Sequence, residues 1–188
     1  MARSVGIDRG QVVASAAELA DEHGLDQLAL AQVAARLGVK LPSLYNHVAG
    51  LPGLRRELAL LALRQLQERM SRATIGKSGD GAVMALALAY RGYATEHPGL
   101  YAATVRAPEP GDQAHLQASQ AIIEVVLAVL EPYRLGEAGA IHAVRGLRSI
   151  VHGFATLEQA GGFGIPLDRE ESFLRLVRGF IAGLHTTQ

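Results

Sequence analysis

LALAQVAARLGVKLPSLYNHV, residues 28–48, is the stretch whose reading decides the fold. Leu30, Val33, Ala34 and Leu37 repeat at i, i+3, i+4 and i+7, the spacing of an amphipathic helix of two turns, and Gly38 supplies its stop. A second short helix is predicted to follow at once. Pro42 fits its first turn, where a missing N–H breaks no ladder bond, and Leu41, Leu44 and Val48 form its buried stripe. Ser43, Asn46 and His47 are left for the opposite face, with Tyr45 at its edge. Two short helices joined by a tight turn containing Gly make a helix-turn-helix, whose second helix offers its outward face and N-terminal end to the major groove of DNA.

Charge points the same way. From Gln27 through Arg56 there is no Asp or Glu, while Arg36, Lys40, Arg55 and Arg56 fall inside the run, an asymmetry that suits a surface facing phosphate. Lys40 stands just ahead of a helix N-terminus, where a cation opposes the helix dipole and displaces the preferred Ser or Thr cap. A phosphate at that point would reverse the sign.

The run ALAQVAARLGVKLPSLYNHVAGLPGL, preceded by a helix ending in EHGL, resembles the DNA-binding domain of the TetR family of bacterial transcriptional repressors. The resemblance implies that the first helix packs behind the motif, the second crosses the DNA backbone and the third reads the groove through positions matching Leu41, Pro42, Ser43, Tyr45 and His47. The chain departs from the family pattern at Ala29, where Thr or Ser usually caps the second helix. It departs again at Ala31, where a base-reading Arg can occur, and at Leu51, where a phosphate-contacting Lys is usual.

With 188 residues, 49% of them hydrophobic, the chain can bury a sizeable core. Ala and Leu dominate, there is no Trp and there are only four Phe, so helices are favoured over sheet and the expected class is all-α. The formal net charge is zero, which confines any electrostatic attraction for nucleic acid to a local patch. The lack of Cys excludes disulfides, thiolate zinc sites and cysteine nucleophiles. MARSVGIDRG lacks the apolar core of a signal peptide, and the apolar run at residues 82–90 is too short to span a bilayer. A cytoplasmic protein with no membrane partner is expected.

Outside the motif, Asp8 with Gln11 predicts a capping box opening the first helix, whose face is Val12, Ala16, Leu19, Ala20 and His23 and whose stop is Gly24. Pro52 opens a long helix with apolar residues on two faces, which gives it two neighbours. IGKSGDG, residues 75–81, reads as a linker, and residues 82–94 as a helix buried nearly all round. A short segment at 100–106, the loop APEPGD, a helix at 113–130 and a stop at Pro132 follow. The last two helices are expected at about 136–160 and from Asp168, with Glu171 completing a capping box, to about Leu184. The domains are therefore drawn as 1–51 for DNA binding, 52–74 as connecting helix and 75–188 for ligand binding and dimerisation.

On the helix at 136–160, Gly146, Ser149 and Gly153 form a strip of small residues that would let another helix approach, either within the subunit or across a dimer interface. VHGFATLEQAGGFGIP followed by DREESFLRLVRGFIAGL resembles the C-terminal domain of the TetR branch named for a Trp-His-Gly motif, with Val151 in place of the Trp. That resemblance implies a two-fold dimer through the last two helices and a ligand pocket enclosed by the fifth to eighth.

The seven His include no i, i+4 pair and no metalloprotease signature, so no metal is expected, and no cofactor. No Ser lies in a strand-turn-helix elbow and there is no glycine-rich phosphate loop, which argues against an enzyme. Tyr90, Tyr93, Tyr101, His115 and His152 are polar tips on otherwise apolar helices and are the candidate ligand contacts, with water, backbone or side chains as the alternative partners. The expected effector is small and uncharged or weakly polar, with Arg91 and Arg106 the residues that would favour an acid if turned inward.

The resulting expectation is a homodimeric, ligand-responsive repressor that binds a double-stranded, near-palindromic operator through Lys40, Leu41, Pro42, Ser43, Tyr45, Asn46 and His47. The competing reading is a helical protein-interaction module.

Overall fold

The computed structural model describes residues 6–186, and all the regular elements among them are helical. In chain order these are α1 (Arg9–His23), α2 (Leu30–Arg36), α3 (Leu41–Leu44), α4 (Gly50–Thr74), α5 (Gly79–Glu96), α6 (Pro98–Ala103), α7 (Gln113–Leu130), α8 (Gly136–Gln159) and α9 (Arg169–Thr186). Turns of 3₁₀ helix lie at Leu25–Gln27 and Glu131–Tyr133. The reading of MARSV as no part of a signal sequence lies outside the described residues.

Helix ends follow local chemistry. The Gln11 amide donates to Asp8 Oδ1 at 2.8 Å and the Asp8 amide donates to Gln11 Oε1 at 2.9 Å, so the first capping box is complete. At α9 the box is half formed. Asp168 Oδ1 accepts the Glu170 amide at 2.8 Å, while the Glu171 carboxylate turns to Arg175 at 2.8 Å instead of reaching back. His23, expected on a buried face, is exposed at the last turn of α1.

Two compact units result. One comprises the described residues up to Leu63 together with His97–His115. Val12, Ala16, Ala20, Val33, Leu44, Leu54 and Leu58 are buried in it. Residues 97–115, which the linear division assigns to the C-terminal part, pack here for two reasons. Gly99 lies so close to α1 that a Cβ there would stand 2.0 Å from the Ala20 carbonyl oxygen, and Asp21 accepts the Leu100 amide at 2.9 Å and faces His97 Nδ1 at 3.0 Å.

The other unit comprises Arg64–Glu96 and the described residues from Leu116 on. Ala143, Leu147, Val151 and Ala155 recur every four residues along α8, and Phe173, Val177, Ile181 and Leu184 do much the same along α9, giving each helix one buried stripe. Ala82, Val83, Leu86, Ala87, Tyr90, Tyr93 and Ala94 are the buried residues of α5. Arg91 enters this core with its charge balanced by two hydrogen bonds to Glu158, at 3.0 and 2.6 Å, and its guanidinium lies 5.0 Å from the Phe154 ring and 4.9 Å from the Phe173 ring.

The expectation about membrane-spanning length needs correction at α7. By length and composition the segment Gln113–Tyr133 could cross a bilayer, although Gln117, Ser119, Gln120 and Glu124 interrupt its apolar run. Much of its apolar surface is only half-buried, at Ile122, Ile123, Val125 and Leu127 among others.

Candidate nucleic-acid interface

The turn between α2 and α3 is fixed by the backbone. The Val39 amide donates to the Ala34 carbonyl at 3.0 Å and the Gly38 amide to the Ala35 carbonyl at 3.2 Å, the paired bonds of a Schellman motif, with Gly38 at φ +66°. A side chain there would be strained, so the Gly defines the angle at which α3 leaves. At the other end of α2, Ala29 offers no cap, and Gln32 Oε1 compensates in part by accepting the Ala29 amide at 2.8 Å.

α3 is shorter than its apolar pattern predicts. Its helical assignment ends at Leu44, whose carbonyl still accepts the His47 and Val48 amides at 2.9 and 3.0 Å, so the chain coils on as a turn. Leu44 is fully buried and Val48 nearly so, and they anchor the segment. Leu41 does not join them. At 38% exposure it belongs with the outward residues, as the family resemblance implies and the buried-stripe reading does not. Tyr45 is 59% exposed, Lys40, Pro42 and Asn46 are exposed, and Ser43 and His47 are half-buried. All seven expected DNA contacts therefore cluster on one short segment with solvent-accessible surface.

The basic stretch is different from what its sequence suggests. Arg36 pairs with Glu22 through both terminal nitrogens, one of them at 3.0 Å, and lies 3.6 Å from Glu18. Arg36 accordingly holds the Glu22 carboxyl below its ordinary value. Arg55 donates to the carbonyls of Leu25 and Asp26 at 3.2 and 3.4 Å. Arg56 forms a fork on Asp112, at 2.5 and 2.6 Å, and with the hydrogen bond from the His115 amide this lowers the Asp112 carboxyl to about 2. Of the four cations in the stretch, Lys40 alone has no such partner among the described residues. Acids absent from residues 27–56 arrive from α1 and from the loop before α7.

The candidate ligand contacts are divided between the two units. Tyr90, Tyr93 and His152 belong to the unit of α5, α8 and α9, and Tyr101 and His115 to the unit of α1–α3 and α6. Tyr93 Oη bonds Gln65 Oε1 at 3.0 Å, and Tyr90, Tyr101 and His152 are likewise engaged within the chain. His115 is buried, with no hydrogen-bond partner at Nε2 among the described residues. Arg91 is turned inward but neutralised by Glu158, and Arg106 is exposed, so neither supplies the free inward cation that would select an acid there.

The small strip on α8 divides as well. A Cβ on Gly146 would meet Phe180 of α9 at 3.2 Å, so its smallness serves packing inside the subunit. Ser149 is exposed, its hydroxyl on the Arg145 carbonyl at 2.8 Å, and nothing stands within 4 Å of a Cβ at Gly153.

Comparison with known proteins agrees with this architecture. The family described as "Tetracyclin repressor-like, C-terminal domain" matches residues 83–180. A Bacillus subtilis (strain 168) protein, "Uncharacterized HTH-type transcriptional regulator YobS", is 35% identical over 184 residues, covering 98% of this chain and 96% of that protein. Among solved structures, a protein of unknown function from Rhodococcus sp. RHA1 superposes with a TM-score of 0.82 at 24% identity over 98% of each chain. A TetR variant from Acinetobacter baumannii AYE in complex with minocycline superposes with a TM-score of 0.72 at 24% identity over 94% of this chain and 96% of that one.

Proposed function

The chain belongs to the TetR family and is a DNA-binding transcriptional regulator, and from that premise we propose that it is a repressor which a small-molecule effector releases from a near-palindromic operator. The observation that carries this is the exposed segment 40–47, held by Leu44 and by the Gly38 turn, with Lys40 free to meet phosphate. In this reading Lys40 and Tyr45 contact phosphate, and Ser43, Asn46 and His47 face base edges with Leu41 and Pro42 making apolar contact. The protein acts in the cytoplasm as a homodimer, through α8 and α9 around Ser149 and Gly153. The exposed Leu157 and Leu176 give those helices further apolar surface to cover.

The effector is taken by the unit of α5, α8 and α9, the solved relative with minocycline being the precedent for ligand binding in this fold. Tyr90, Tyr93 and His152 are the contacts we assign to it. Tyr93 Oη already bonds Gln65 Oε1 at 3.0 Å, so the effector exchanges partners there, and its preference for the released state decides the response. A difference of about 1–3 kcal/mol between the two states is enough for partial release.

The test is selection of enriched duplexes from fragmented genomic DNA at low salt, followed by melting of the protein with a chemical library. The expected result is an enriched two-fold sequence and a ligand that both raises the Tm and frees the DNA, with His152→Ala blunting both responses to it. No enriched duplex would favour the protein-interaction reading instead.

A further inference from the structure

A cleft of about 310 Å³ opens where the last turn of α4, the 75–78 connection, the first turn of α5 and the C-terminal half of α7 converge, all within one unit. None of Tyr90, Tyr93, Tyr101, His115 or His152 lines it. Its walls have two characters. Ala82, Val125, Ala128, Val129 and Pro132 supply its apolar lining, and Ser71, Thr74, Lys77 and Ser78 supply its polar lining.

The polar lining has unused donor capacity. Ser71 Oγ accepts from Gln67 at 3.1 Å, which leaves its own O–H to donate, whereas the Thr74 hydroxyl is turned onto the Met70 and Ser71 carbonyls at 3.2 and 2.9 Å. The Lys77 ammonium has no ion pair among the described residues. The nearest acid in sequence, Asp80, is held by Tyr133 Oη at 2.6 Å and His185 Nε2 at 2.9 Å, both of which lower its pKa. A cation without a counterion among the described residues, sharing a cleft with apolar side chains, is complementary to an anion with a hydrocarbon body.

We propose that this cleft binds a small organic monocarboxylate, with the carboxylate on Lys77 and the Ser71 hydroxyl and the apolar body against Val125, Ala128, Val129 and Pro132. A carboxylate fits better than a phosphate ester, because the lining carries one ammonium and no guanidinium fork. The volume lies at the lower limit for ligand sites, which selects a medium-chain or single-ring acid over a long-chain one. This site is separate from the effector contacts assigned above and requires no DNA response.

Methyl NMR of the full-length, DNA-free protein tests it, with sodium octanoate as probe and 1-octanol as its uncharged counterpart. Saturable shifts are expected at Ala82, Val125, Ala128 and Val129. Lys77→Gln should weaken octanoate about fivefold, the size of one exposed ion pair, and leave octanol within about twofold. Ala128→Trp fills the cleft from an exposed position and should abolish both titrations with the circular dichroism unchanged. Shifts confined to other methyls, equal octanoate affinity in wild type and Lys77→Gln, or equal response of wild type and Ala128→Trp would each overturn the proposal. Because no DNA is present, these outcomes are independent of whether the protein is a repressor.

Discussion

Asp112 acts at three points at once: it caps α7 through the His115 amide, clamps Arg56 and thereby balances a cation that the sequence offers to DNA. Its carboxyl titrates at about 2 in the folded chain against an ordinary 3.8, so its contribution to stability is complete above the ordinary value and is lost as pH falls from there toward 2. Asp112→Asn should therefore melt below wild type near neutral pH, and the gap should close across that acid window in melts recorded against pH. At the reading segment, Tyr45→Phe and Lys40→Ala should weaken binding to all sequences alike, whereas His47→Ala should alter base preference, as competition binding against operator variants would report. Segment 40–47 was legible because helical spacing, Gly38 and Pro42 are local signals. The pairing of Arg36 and Arg56 was not, because their partners lie 14 and 56 residues away in sequence and an acid-free run says nothing about acids brought to it by folding.

Among the helices, the sequence marks those whose caps and apolar periods agree. α1, α7, α8 and α9 start and stop within about two residues of the places their caps and Gly or Pro punctuation indicate. α6 is the contrary case. His97, Pro98 and Gly99 interrupt the helical pattern between residues 94 and 100 of the sequence, yet Pro98 opens a helix and Gly99 is the point at which that helix meets α1. Gly99→Ala would drive a methyl into the Ala20 carbonyl and should destabilise the protein by at least about 3 kcal/mol, seen as a Tm lower by roughly 6–12 °C. On α8 the spacing of Gly146, Ser149 and Gly153 could not separate inner from outer packing, since both need close approach. The contact of Gly146 with Phe180 places the first of the three on the inner side. Gly153→Leu should then leave the subunit folded, because the site is open, while sedimentation velocity at micromolar concentration shows the dimer shifted toward monomer.

For the molecule as a whole, zero net charge and internally paired arginines set how DNA binding responds to salt. A regulator that neutralised many phosphates would lose affinity steeply as salt rises, by about 0.9 in the logarithmic slope for each phosphate. In the proposed dimer Lys40 is the exposed cation of the basic stretch with no partner among the described residues, so two copies on one operator should give a slope of only about −2. Most of the affinity must then come from base-edge, apolar and hydrogen-bonding contacts along segment 40–47, which salt screens weakly. That shifts the balance toward sequence selectivity over non-specific attraction. Asp112→Asn supplies the decisive comparison. It removes the stronger of the two acids on the Arg56 guanidinium, which is already partly exposed at 41% and keeps Glu57 at 3.2 Å, and in the proposed dimer should steepen the slope toward about −4 while raising affinity for unrelated duplexes more than for the operator. Anisotropy titrations across a salt series measure both slopes. An unchanged slope in the variant would mean that Arg56 faces away from the DNA and that its pairing with Asp112 serves only to hold α4 against the start of α7.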